Sequence, residues 1–280
     1  IIYHESITSL LVRLQRTPLA KEYWFHNSHF YPPLWTYDLP LKGSKSIYYF
    51  YSTNCEPFLF RNDNTRPLIT PYSIANWPEY LVWDNHQHDF VRKLAGDRSK
   101  IHIVGPILFS HTSALPPFRI PERVIAVFDV QPHRSSIYQG LGIASEFYVP
   151  NQCIHFLEDI LLVAIELGVT LLIKQKREIG SSAHPLYRRY IKSISASKNV
   201  LLIDPGVGAD SLSQCSLGSV SMPFTSTALI SREAGIPSVY YVPSDALGVD
   251  PSLSHGLQVV FGINNLRSWM QAVVSRHFRL

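Results

Sequence analysis

The sequence predicts an α/β protein made of two doubly wound halves with parallel sheets. Three observations predict it. Short apolar runs alternate with segments of helical period along the whole chain, and such alternation builds parallel sheets covered by helices. A stretch rich in proline and polar residues, 111–121, interrupts the alternation once. The alternation then starts afresh. The expected organisation is an N-terminal Rossmann-like half at 1–113, a linker at 114–122 and a C-terminal Rossmann-like half at 123–280.

In the first half, residues 23–27, 46–51, 80–83 and 101–104 are predicted strands, and 89–94 with its flanks is a predicted helix. Four strands are few for a doubly wound domain, and the chain begins at Ile1, not Met. The reading therefore includes a truncated N-terminal half. In the second half, strands are expected at 124–128, 169–174, 200–203, 219–221 and 238–241. Helices are expected at 151–167, 185–195 and 209–215, from Ser226 onward, and at 264–274.

Composition narrows the function classes. Hydrophobic residues make 46% and charged residues 16% of the 280, which is globular and not disordered. The net charge of +4, with twelve His in reserve at acid pH, suits an anionic small ligand or an anionic membrane surface. Nucleic acid is not expected, because no basic patch interleaved with aromatics occurs. The three Cys, at 55, 153 and 215, fit neither a disulfide framework nor a zinc pattern and point to a reducing, cytoplasmic compartment. No apolar run reaches the roughly 20 residues of a membrane span. There is no Asp-x-Asp, so no metal is expected.

In an open α/β sheet, ligands bind past the carboxyl ends of the strands. In the second half that rule gathers the loop Asp129-Val130-Gln131-Pro132-His133-Arg134, the segment from Lys174 to His184, the turn Asp204-Pro205-Gly206, and Met222-Pro223-Phe224-Thr225-Ser226. The last is the most informative. Thr225, Ser226 and Thr227 stand where a helix begins, and a helix start offers N–H groups, hydroxyls and partial positive charge to a phosphate. Glu233 lies seven residues beyond Ser226, about two turns on and on the same face. Its carboxylate is a candidate acceptor for ribose hydroxyls. An ordinary N-cap and a solvated Glu233 are the alternative reading. Lys174, Lys176 and Arg177 form a dense basic cluster, read either as a positive rim near phosphates or as a solvated strand end.

The chain resembles the bacterial "PFTS motif" polysaccharide biosynthesis proteins at Pro223-Phe224-Thr225-Ser226. Further stretches carry the resemblance: Phe50-Tyr51-Ser52-Thr53-Asn54, Tyr80-Leu81-Val82-Trp83-Asp84, Phe128-Asp129-Val130-Gln131-Pro132, Phe156-Leu157-Glu158-Asp159, Lys174-Gln175-Lys176-Arg177 and His255-Gly256. A looser resemblance is to GT-B glycosyltransferases that use CMP-sugars, the capsule beta-Kdo transferases and several sialyltransferases. It rests on Gln131-Pro132, His184-Pro185 and Ser226-Thr227, in that order. It implies two Rossmann-type domains facing a cleft, and a nucleotide-sugar donor, CMP-linked by preference. The acceptor would be an oligosaccharide or lipid-linked glycan, with peripheral association at the inner membrane or with a synthase complex. His184 would meet a donor phosphate; a cap before Pro185 at the helix start is the alternative. Gln131 could contact sugar or base and Arg134 a donor carboxylate.

Catalysis on this fold needs a base or nucleophile from the first half. Glu5, Glu56, Asp84 and Asp89 are the carboxylates considered; Glu56 and Asp84 follow predicted strand ends. Two departures stand out. Val242-Pro243 replaces an Asp-Pro expected after the Tyr-Tyr pair, and the acidic-acidic-Gly motif of the sialyltransferases has no counterpart. Rival readings are a sugar-nucleotide epimerase, a polyol-phosphate transferase, and a non-catalytic scaffold of the same fold.

Overall fold

The computed structural model describes residues 1–26, 29, 31–52, 59–60, 74–107, 116, 118–134, 148–175, 182–244, 247–248 and 254–276. In chain order the elements of the first part are α1 (Ile2–Leu14), β1 (Glu22–His26), a 3-10 stretch (Leu34–Lys42), β2 (Lys45–Tyr49), β3 (Leu59–Phe60), β4 (Glu79–Val82), α2 (Asn85–Ala95) and β5 (Lys100–Ile103). Then come β6 (Val124–Phe128), α3 (Pro150–Leu167), β7 (Thr170–Lys174), α4 (Pro185–Ile194), β8 (Val200–Ile203) and α5 (Ala209–Gln214). The last are β9 (Gly218–Ser221), α6 (Ser226–Glu233), β10 (Ser238–Val242), β11 (Leu247–Gly248), β12 (Val259–Phe261) and α7 (Gly262–Arg276). The chain divides into two compact units, Ile1–Pro57 with Thr65–Ser110 and Phe58–Asn64 with His111–Leu280. Residues 116 and 118–122 are neither helix nor strand.

The first unit holds a four-stranded sheet ordered β1-β2-β4-β5, parallel throughout. Its core is aromatic. Trp77 meets Phe25 at 4.6 Å and Tyr48 at 5.3 Å between ring centroids, and Tyr48 meets Tyr80 at 5.5 Å. α1 packs by its polar side: Ser9 donates to Asp38, Arg13 pairs with Asp38 at 2.8 Å, and Glu5 accepts from the Leu34 N–H. Tyr3, Leu10, Leu11 and Leu14 stay exposed.

The second unit holds a six-stranded sheet ordered β12-β10-β9-β6-β7-β8, again all parallel, and the antiparallel pair β3-β11. A parallel sheet covered on both faces wants unbroken apolar strands. Val-Ile-Ala-Val-Phe of β6 meets that demand, being buried at every position. Ile125 and Val127 join a cluster with Phe156 and Ile160 of α3, Tyr187 and Ile191 of α4, and Leu266 and Met270 of α7. Val124, Ala126 and Phe128 face Leu172, Ile203 and Leu212 on the other side. α3 has Pro150 at its first position and ends at Gly168, whose φ of 60° is left-handed and favours glycine. At Gly218 a Cβ would lie 2.9 Å from a Val273 methyl and 3.2 Å from the Pro237 carbonyl oxygen. Glycine there lets α7 lie close on the sheet.

The α/β class and the parallel sheets follow the sequence expectation. The expected strands appear within two residues at each end, 124–128 and 200–203 with identical bounds. α2 takes in the flanks of the expected 89–94, and Asp84 caps its start. The 3-10 stretch, with Pro40 inside it, and the three-residue β12 had no sequence expectation.

Candidate functional site

Because β9, β6, β7 and β8 are neighbours in a parallel sheet, their following loops lie side by side on one edge. The sheet itself therefore sets the order of the motifs. The proline-phenylalanine turn follows β9, the Gln131-Pro132 loop follows β6, Gln175 follows β7 and the Asp204 turn follows β8.

Two of these motifs are joined directly. His133 and Ala183 form an antiparallel bridge. The His184 N–H donates to the Pro132 carbonyl at 2.8 Å, and the Arg134 N–H donates to the Ser182 carbonyl at 3.2 Å. The Gln-Pro loop and the His-Pro loop are thus one hydrogen-bonded unit. Gln131 is buried and Arg134 exposed. His184 is the N-cap of α4: its Nδ1 accepts from the Leu186 N–H at 3.3 Å, with Pro185 at the first helical position. Since Nδ1 accepts, the neutral ring carries its proton on Nε2. The cap expected as the alternative is present, and it sets the tautomer whose remaining ring nitrogen donates.

The turn after β9 is held from several sides. The Met222 N–H donates to the Phe128 carbonyl at 2.9 Å, Tyr148 OH donates to the Pro223 carbonyl at 2.7 Å, and Tyr240 OH donates to the Thr225 carbonyl at 2.8 Å. The peptide between Pro223 and Phe224 is cis. Thr225 occupies the N-cap position of α6 without a side-chain cap bond. Its hydroxyl instead donates back to the Met222 carbonyl at 2.9 Å and lies 2.9 Å from the Thr227 hydroxyl. Thr225 is buried, while Ser226 and Thr227 are partly exposed at the helix start. Glu233 is the last residue of α6, about 10 Å along the axis from Ser226. It is exposed and pairs with Arg232 at 3.0 Å. Arg232 also donates to the His255 carbonyl at 2.6 Å.

Lys174 bends toward β8. Its ammonium donates to the Pro205 carbonyl at 3.1 Å and to the Gln175 carbonyl at 3.4 Å. Burial pulls its pKa down, against the attraction of Asp204 and Asp129. Asp204 closes a turn by accepting from the Gly206 N–H at 2.7 Å.

In the sequence Asp129 is only one residue of a longer motif. It is buried, its Oδ2 accepts from Tyr187 OH, and among the described residues its Oδ1 has no hydrogen-bond partner. Burial pushes its carboxyl up to about 6, against the Tyr187 hydrogen bond, its own backbone N–H and Lys174. The same burial, with the Asp129 charge, raises the Cys153 thiol and the Tyr187 hydroxyl. An acid at a strand end looks like an ordinary loop residue in sequence. Its burial comes from α3 and α4, which no local signal shows.

In the first unit Asp84 caps α2, accepting from the Gln87 N–H at 3.0 Å. Glu5 accepts from the Leu34 N–H at 2.7 Å, and Asp89 lies 3.1 Å from the His88 ring. Glu56, Lys176 and Arg177 lie outside the described residues. Among the described residues no group of His, Cys, Asp and Glu is arranged to hold a metal ion. None of their helices is long and apolar enough to cross a membrane.

Solved structures share the fold at low identity. A mutant of S. aureus TarM, solved with fondaparinux, alpha-GlcNAc-glycerol and UDP, matches with a TM-score of 0.55 at 13% identity over 96% of this chain and 52% of that one. A Listeria monocytogenes protein described as a UDP-N-acetylglucosamine 2-epimerase matches with a TM-score of 0.58 at 11% identity, over 98% and 69% of the two chains. The glycosyltransferase of kitacinnamycin matches at 0.51 and 13% identity, over 97% and 72%. The chain thus spans about half the length of the first of these and about two thirds of the second. No curated protein matches it in sequence. The family described as polysaccharide biosynthesis PFTS motif protein matches residues 2–270, nearly the whole chain. The chain belongs to that polysaccharide biosynthesis family and carries the GT-B fold.

Proposed function

We propose that this protein is a glycosyltransferase of bacterial surface-polysaccharide assembly, acting on a nucleotide-sugar donor and a glycan acceptor. A CMP-linked ulosonate such as CMP-Kdo is the favoured donor, and an oligosaccharide or lipid-linked glycan of capsule or lipopolysaccharide the acceptor. Work of this kind belongs to the cytoplasm, with peripheral contact at the inner membrane. The observation that carries the reading is the joined edge of the second sheet. There the Gln131-Pro132 loop and the capped His184 are hydrogen-bonded together, beside the turn that opens α6.

In this mechanism a carboxylate takes the acceptor hydroxyl's proton and the freed oxygen bonds to the anomeric carbon. The carbon–oxygen bond to the donor phosphate breaks, and its electron pair leaves with the nucleotide. Nε2–H of His184, the N–H groups and hydroxyls around Thr225, Ser226 and Thr227, and Lys174 with Lys176 offset the phosphate charge without a metal. Gln131 and Arg134 hold the sugar or its carboxylate, and Glu233 the ribose. Glu56 and Asp84 are the two candidates for the base.

The test is a thermal-shift series with CMP, UDP, GDP and CDP. A nucleotide at a hundred times its Kd should stabilise the protein by about 2.7 kcal/mol. No shift with any of the four rules the reading out. The second reading, a sugar-nucleotide epimerase, draws on the likeness to the Listeria monocytogenes protein. Incubation with the matching sugar nucleotide separates the two. A transferase releases nucleotide, by transfer or slow hydrolysis, whereas an epimerase returns an isomeric sugar nucleotide.

A further inference from the structure

Among the described residues, Asp129 and Gln175 on the carboxyl edge of the second sheet each leave a buried polar atom unsatisfied. Asp129 is 4% exposed and Gln175 9% exposed. Oδ1 of Asp129 and Nε2 of Gln175 have no hydrogen-bond partner among the described residues. Each residue directly follows the last register pair of two neighbouring strands, Phe128 with Lys174. The two-residue period puts both side chains on the face of Val127 and Ile173, the face covered by α3 and α4. The bond from Tyr187 of α4 to Asp129 places the carboxylate there. An open acceptor and an open donor therefore follow the same strand pair on the same face. Buried groups are seldom left unmade without a reason.

We infer that Asp129 and Gln175 form a slot for one hydroxyl group of a sugar. The hydroxyl donates to Asp129 Oδ1 and accepts from Gln175 Nε2. A hydroxyl does both at once, as would a water molecule that it displaces. A phosphate oxygen would accept from Gln175 but be repelled by the carboxylate, and an ammonium would suit Asp129 but meet a second donor. The slot thus selects the polyol part of a ligand, not its phosphate. Among the described residues, Tyr187 OH, the Cys153 thiol and the Lys174 ammonium are the titratable groups around the carboxylate. With its carboxyl pushed up only to about 6, Asp129 is an ionised acceptor at neutral pH. The inference rests on the proposed use of a sugar nucleotide, whose ribose and transferred sugar both carry hydroxyls.

The experiment is titration calorimetry on the full chain, Gln175→Leu and Asp129→Asn. The probes are CMP, UDP, CMP-N-acetylneuraminate and UDP-N-acetylglucosamine. Both variants should keep their folds, since leucine fills the amide's volume and asparagine still accepts from Tyr187. The expected result is a loss on the order of tenfold in affinity for the tightest probe, as for one hydrogen bond to a charged group. The melting temperature without ligand should not fall. A loss already present with the bare nucleotide assigns the slot to ribose; a loss confined to the sugar nucleotide assigns it to the transferred sugar. Unchanged affinity in both variants overturns the slot while leaving the proposed function standing. If the wild type binds no nucleotide, the proposed function fails. The slot is then judged by saturation-transfer NMR with free Kdo and N-acetylglucosamine. Binding that Gln175→Leu abolishes upholds it, and no such binding overturns it.

Discussion

In the first unit, Asp84 follows β4 and Gln87 sits in the first turn of α2; in the second, Asp129 follows β6 and Gln175 follows β7. Both pairs lie past the carboxyl ends of parallel strands, yet they are used differently. Asp84 caps a helix. Gln87 is wholly buried and spent at both ends: its Oε1 accepts from the Trp83 N–H at 2.9 Å, and its Nε2 donates to the Ser52 carbonyl at 2.8 Å. Asp129 and Gln175 are nearly as deep, but each keeps one polar atom unspent. A polar group that closes its hydrogen bonds within the chain is building the fold. On the proposed slot, Asp129 and Gln175 hold theirs open for a sugar hydroxyl.

The largest expected effect tests whether the second edge is chemical at all. His184→Ala should lower transfer about a hundredfold, or ~3 kcal/mol, if its ring donates to the leaving phosphate. The same change removes a helix cap and costs about 1 kcal/mol of stability. His184→Asn keeps a good cap and should hold the melting point while retaining only part of the activity. Donor turnover beside a melting curve reads both. Full activity in His184→Ala takes the residue out of the mechanism.

Next in size is the pH dependence of Asp129. Its carboxyl moves from 3.8 up to about 6 on folding. The folded state then holds the proton more tightly than the unfolded chain. The stabilising contribution is present below the unfolded value and lost as pH rises through the folded one. The loss, spread between about pH 4 and about pH 6, is on the order of 3 kcal/mol. Urea midpoints measured below and above this window should fall more in the wild type than in Asp129→Asn. Equal falls would show that the carboxyl is not strained by burial.

The two glutamines give the sharpest contrast in sign. Gln87→Leu removes the bonds to the Trp83 N–H and the Ser52 carbonyl and should cost about 2 kcal/mol. Gln175→Leu removes an amide whose Nε2 is already left open, and should leave stability unchanged or raise it by up to about 1 kcal/mol. Urea unfolding of both variants checks the pair. If both lose stability alike, Gln175 has a structural partner and the contrast fails.

Local signals carried the fold. β6 is five apolar residues in a row, and α4 shows itself through His184 and Pro185. The 3-10 stretch Leu34–Lys42 was hidden because Pro40 reads as a breaker, and β12 because three residues show no period. The edge was legible as loops, through the parallel topology and the motifs it aligns. Which side chains are open on that edge was not. Thr225 turns its hydroxyl back on Met222, Lys174 folds onto Pro205, and the depth of Asp129 is made by Tyr187 and the helix beneath it. Such facts depend on how distant segments pack, and no window of sequence contains them.

The smallest effect decides what Asp84 is for. Its carboxylate caps α2 by accepting the Gln87 N–H at 3.0 Å. Asparagine caps nearly as well as aspartate, whereas alanine loses the acceptor and about 1 kcal/mol. A base that takes the acceptor's proton needs the carboxylate itself. Asp84→Asn therefore separates the two roles, since it keeps the cap and deletes the base. If the cap is its whole role, Asp84→Asn should melt within a few tenths of a kcal/mol of the wild type and transfer sugar within about twofold of it, while Asp84→Ala is less stable but as active per folded molecule. A collapse of turnover in Asp84→Asn with an unshifted melting curve would move Asp84 from the fold to the chemistry. It would also give the first unit an edge group as functional as those of the second.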